Sequence, residues 1–102
     1  MRKYGKVDAN NDQTVSALRG AGAFVFSLAS VGGGCPDLLV GFRGQTLLLE
    51  VKDGRRPPSQ RKLTDDQLKF QREWLGGPLA VVDSPESALR MIGVLHANTA
   101  AK

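Results

Sequence analysis

Asp37-Leu38-Leu39-Val40-Gly41-Phe42-Arg43-Gly44-Gln45-Thr46-Leu47-Leu48-Leu49-Glu50-Val51-Lys52 is the stretch on which the fold turns. Two runs of strand formers flank Arg43-Gly44, a two-residue connection with glycine where a positive φ is needed. This predicts a β-hairpin of residues 37–42 and 45–52. Alternation sends Leu47, Leu49 and Val51 to one face of the second strand and Thr46, Leu48, Glu50 and Lys52 to the other. A carboxylate and an ammonium therefore close an apolar strand on a common face, where burying ions is costly unless something compensates.

In a hairpin closed at Arg43-Gly44, facing residue numbers add up to about 87, so Asp37 faces Glu50. Directly paired Cβ atoms stand roughly 4.5–5.5 Å apart, and two carboxylates that close repel unless a cation lies between them. Oxygen ligands suit Mg²⁺ or Mn²⁺, which leave most positions to water and phosphate oxygens. Lys52, two residues on, would orient or deprotonate a water, or stabilise charge on a phosphorane-like transition state. That is a phosphodiesterase arrangement. The plainer alternative is a structural Glu50–Lys52 ion pair at a strand end.

Outward from the hairpin, the elements follow from caps and breakers. Asn10-Asn11-Asp12 offers N-caps, and Val15, Leu18 and Ala21 recur at helical spacing, which predicts a helix over about 11–21. Residues 23–28 form the first strand, and Gly32-Gly33-Gly34 marks a loop. Residues 53–63, with Gly54 and two prolines, are a loop. Thr64-Asp65-Asp66-Gln67 has capping-box spacing and opens a helix over about 65–75. Residues 78–83 are a fourth strand, and Ser84-Pro85-Glu86 starts a third helix that runs to about Leu95. The order helix, three strands, helix, strand, helix predicts an α/β fold with a mixed central sheet flanked by helices.

The chain has 102 residues, one domain's worth, with its core over about 8–95 and frayed ends at 1–7 and 97–102. Fourteen Lys+Arg against ten Asp+Glu give a net charge of +4 and a pI near 9.6, which favours a polyanionic partner. The single Cys35 cannot form an internal disulfide and has no zinc-like spacing around it. No signal-peptide core follows the basic start, and Leu47-Leu48-Leu49 is far too short to cross a bilayer. A cytoplasmic protein without membrane association is expected.

Pro36-Asp37, then Glu50-Val51-Lys52, resembles the signature of the PD-(D/E)xK nucleases, whose restriction-endonuclease-like core is similar to the predicted element order. Gly34-x-Pro36-Asp37-Leu38-Leu39, Leu49-Glu50-Val51-Lys52, Leu63-Thr64-x-x-Gln67 and Val81-Val82-Asp83-Ser84 look like the virus-type replication-repair nuclease (VRR-NUC) group, over about residues 8–92. The resemblance implies a Mg²⁺- or Mn²⁺-dependent DNA endonuclease with no small-molecule cofactor. Asp37, Glu50 and the main-chain carbonyl of Val51 would bind the metal, and Lys52 would be the catalytic lysine. Stand-alone bacterial and phage members are similar to Holliday-junction resolvases, which implies a homodimer acting on branched DNA in the cytoplasm of a bacterial or phage-infected cell.

Many relatives carry a first-helix glutamate that reaches the metal; here Gln13 takes that place, with one negative charge fewer, and Asp12 is the adjacent candidate. Gln67 either points into the site, as the resemblance implies, or serves only as the reciprocal partner of a capping box. Arg55, Arg56, Arg61 and Lys62, with Lys69 and Arg72 on the next helix, are either solvated surface or phosphate contacts. Arg2, Lys3 and Lys6 could form a second basic arm. The glycine run lacks the Lys-Ser/Thr of a P-loop and reads as a flexible loop. Cys35 reads as packing, His96 as exposed, and Phe70 and Trp74 as core or dimer contacts. Three other functions stay open: nicking or end-cutting of ordinary duplex or single-stranded DNA, a DNA-binding module without catalysis, and, last, a protein-interaction domain in which the charged strand end is an exposed ion pair worth little.

Overall fold

The Arg43-Gly44 connection adopts positive φ at both residues (51° and 80°), the left-handed pair that a two-residue hairpin turn requires. In the computed structural model, which describes residues 9–94, it joins β2 (Leu38–Phe42) to β3 (Gln45–Val51). The ladder runs from Phe42↔Gln45 to Leu38↔Leu49, so the expected register is observed and Asp37 stands one step beyond, opposite Glu50.

β1 (Phe24–Ser27) pairs antiparallel with β2, and β4 (Leu79–Val82) pairs parallel with β3. The sheet is mixed, in the order β1-β2-β3-β4. Parallel pairing of β3 and β4 requires a crossover, and α2 (Asp65–Glu73) supplies it after a short 3₁₀ turn over Pro58–Gln60 within the expected loop. α1 (Ala9–Gly20) precedes the sheet and α3 (Pro85–Met91) follows it. The predicted order and the α/β class are both observed.

Val25, Leu38, Val40, Leu47, Leu49, Val51 and Val82 point to one face, where Leu18 of α1, Ala88 of α3 and Ile92 complete the core. The hydrophobic effect holds α1 and α3 there. The opposite face carries Phe24, Phe26, Leu39, Leu48 and Glu50, and α2 lies on this side, where Gln67 meets Glu50. α2 buries no residue fully.

Four expectations change. α1 starts at Ala9, so Asn10, Asn11 and Asp12 lie within its first turn instead of capping it. Phe70 and Trp74 are not core residues: Trp74 is 37% exposed, the two rings stack with centroids 5.8 Å apart, and the indole N–H donates to the Gly77 carbonyl (2.6 Å). The reason is that α2 covers only part of a narrow sheet, so its apolar residues pack on one another. Only the last residue of the glycine loop is fitted to a neighbour: Gly34 has φ +81° and a Cβ there would lie 2.3 Å from the Asp66 carbonyl oxygen of α2, whereas Gly32 and Gly33 face open space. The third helix is shorter than expected: it ends at Met91, not near Leu95, because the chain turns at Ile92 and Gly93, which takes a left-handed φ of 92°. The basic arm at Arg2, Lys3 and Lys6, His96 and the tail 97–102 lie outside the described residues.

Candidate metal centre at the paired strand ends

Glu50 is the last residue but one of β3 and only 4% exposed. Burial raises its carboxyl from an ordinary 4.5 to about 7, and the charge and hydrogen-bonding proximity of Asp37 add to the shift, partly offset by Lys52. The shift of Glu50 thus reports a carboxyl whose burial and acidic neighbour outweigh the nearby ammonium. Asp37 is anchored by the chain it faces: its Oδ2 accepts from the Val51 N–H at 2.8 Å.

Lys52 stands on the same side, its Nζ 3.6 Å from Glu50 Oε2. Gln67 joins the two. Its Nε2 donates to Glu50 Oε2 (3.0 Å), and its Oε1 accepts from Lys52 Nζ (3.3 Å) and from the Thr64 N–H (2.9 Å), while the Gln67 N–H donates to Thr64 Oγ1 (3.1 Å). The capping box and the site therefore use the same amide. Two lone pairs on Oε1 and a separate amide nitrogen are what permit this.

Asn10 is the residue that sequence reasoning missed. Its side chain is buried, and Nδ2 donates to the carbonyls of Lys52 (2.8 Å) and Asp83 (3.4 Å). The Lys52 N–H donates to the Val82 carbonyl (2.8 Å), so the peptide units on either side of the Lys52 Cα are held. The only available signal was an asparagine beside other helix-capping residues, which points to a local role.

Gln13 is not gathered into the site. It is exposed and lines a separate cleft of about 440 Å³ with Asn10, Gly54, Arg55 and Asp83. α1 packs on the apolar face, and the register turns Glu50 to the opposite one. Asp12, the neighbouring candidate, is likewise exposed.

Of the basic residues, Arg55 binds Asp53 at 3.0 Å, Arg56 reaches Asp53 at 3.9 Å and Gln60 at 3.3 Å, and Arg61 lies 3.9 Å from Asp83. Hydrogen bonds from Arg55 hold the Asp53 carboxyl below its ordinary range. Lys62, Lys69 and Arg72 are exposed. Burial, then the charges of Asp37 and Glu50, pushes the Cys35 thiol up, which keeps it protonated and suits packing more than nucleophilic attack.

The donor set fits a hard divalent cation. Two acidic side chains meet at a buried strand end, with a main-chain carbonyl at Val51 adjoining, and a cation there would relieve the strain that lifts the Glu50 carboxyl. Among the described residues no group of three or more His, Cys, Asp or Glu side chains gathers, so water and substrate oxygens would complete the coordination, as Mg²⁺ prefers. No protein-family model, no curated protein and no solved structure matches the chain.

Proposed function

We propose that the chain is a divalent-metal-dependent DNA endonuclease. The observation that carries this reading is the pairing of a buried Glu50 with the half-buried Asp37 it faces, the Glu50 carboxyl raised to about 7, with the Lys52 ammonium beside it. Asp37, Glu50 and the Val51 carbonyl would hold Mg²⁺ or Mn²⁺, which when bound supplies Lewis acidity at a phosphate oxygen. Asp37 is oriented by the Val51 N–H, and Gln67 fixes Glu50 Oε2 while keeping the Lys52 ammonium close. Lys52 orients the attacking water or stabilises the charge that develops on the phosphate. Arg55, Arg56, Arg61, Lys62 and Lys69 would meet the backbone; exposed ion pairs such as Arg55–Asp53 are weak and can give way to phosphate.

The motif resemblance favours branched DNA such as a four-way junction as substrate, and a homodimer in a bacterial or phage-infected cytoplasm. The test is cleavage of junction, flap, duplex and single-stranded DNA at one salt concentration, with Mn²⁺ or with chelator. Wild type is expected to cut only with metal and to prefer the junction, and Lys52→Ala is expected to bind but not cut. Preference for plain duplex would move the substrate assignment. Salt-dependent binding without cleavage by wild type would make the chain a DNA-binding module.

A further inference from the structure

Phe24 and Phe26 stand on the edge strand β1 with 62% and 56% of their surfaces exposed. Both share a sheet face with the acid pair. The register places Phe26, Leu39 and Leu48 in one row, and Glu50 lies two residues beyond Leu48 on β3. From strand spacing, the Phe26 Cα is roughly 12 Å from that of Glu50, and Phe24 roughly 17 Å.

Resting on the nuclease reading above, we infer that Phe24 and Phe26 are stacking platforms for unpaired bases of the DNA whose backbone lies at the Asp37–Glu50 pair. Three features favour this occupant. Same-face residues on one strand are roughly 6.8 Å apart, twice the rise of stacked duplex bases, so the two rings suit bases splayed out of the helix. Phe24 pairs with Gly41, which has no side chain on the shared face, so the floor beside the ring is bare. The exposed area of the two rings is only roughly 250 Å², well short of the roughly 800 Å² per partner of a stable protein interface. Arg19 also donates to the Val25 carbonyl (2.9 Å), blocking part of the outer edge of β1 against an added strand.

Stacking on an aromatic ring is sequence-tolerant, so the consequence is selection of DNA with unpaired nucleotides beside the cut. The test uses the full chain, without divalent ion, and a DNA bubble carrying 2-aminopurine at unpaired positions, against a fully paired duplex of equal length. Wild type should quench the fluorophore and bind the bubble at least tenfold tighter. Phe26→Leu and Phe24→Leu, which keep apolar bulk on an exposed strand, should each lose most of the quenching and about tenfold of that preference, whereas Phe26→Tyr should retain both. Leucine variants that quench and discriminate like wild type would overturn the inference. So would conversion of a dimer to a monomer by the same substitutions, which would assign the face to a second copy. Cleavage of plain duplex with Mn²⁺, run in parallel, separates the two readings: if the leucine variants cut it at the wild-type rate, loss of bubble preference reports on stacking, and if wild type cuts no DNA, the nuclease reading has failed.

Discussion

The Glu50 carboxyl couples the candidate site to stability. Its value of about 7, against 4.5 ordinarily, means that the folded metal-free chain binds this proton more tightly than the unfolded chain does. That contribution is full below about 4.5 and is lost as pH rises through about 7. Denaturant titrations of the metal-free protein should show stability falling across this window, and Glu50→Gln should flatten the fall. Asn10 acts at the same scale but through the main chain. Asn10→Ala removes the buried donor that holds the Lys52 carbonyl, while the Asp83 carbonyl keeps the Gly54 N–H, and should cost about 1–3 kcal/mol, with a drop in cleavage rate because the Lys52 backbone is released. Denaturation and single-turnover kinetics check the two halves. Asp37, Glu50 and Lys52 were legible in the sequence because strand alternation and a two-residue turn fix where their side chains point. Asn10 was not, because its partners lie 42 and 73 residues away, and nothing in local spacing encodes them.

Elements bring these residues together, and their junctions are the sensitive points. Gly34 combines a left-handed backbone with contact against the first turn of α2, so Gly34→Ala carries both the conformational penalty of a side chain at positive φ and a steric clash. The expected loss is about 2–4 kcal/mol, measured by thermal or denaturant unfolding, whereas Gly33→Ala, which meets nothing nearby, should lose only the conformational part. The hairpin, the four strands and the three helices were readable from turn chemistry, alternation and caps. The close fit of Gly34 was not, because three successive glycines look alike whichever of them is pressed against a helix. The exposure of Trp74 and the incomplete burial of Phe70 were also hidden, since an apolar helical stripe announces burial without saying how much sheet is there to cover it.

At the scale of the molecule, a chain of net charge +4 carries exposed Lys62, Lys69 and Arg72 besides Lys52, which stands beside the acid pair. DNA binding through about four phosphate contacts should weaken about a hundredfold between 50 and 200 mM salt, and Lys62→Ala or Lys69→Ala should each reduce the log–log slope by about 1; fluorescence anisotropy across a salt series measures both. Among the described residues no helix is long and apolar enough to cross a membrane. The most direct test of the account is a calorimetric titration of the folded chain with Mn²⁺ at pH 7, repeated in buffers of different ionisation enthalpy. The account predicts saturable binding with release of protons, because the cation displaces the proton that Glu50 partly retains there, and no such binding in Asp37→Asn. Absence of binding in wild type, or equal binding in Asp37→Asn, would contradict it.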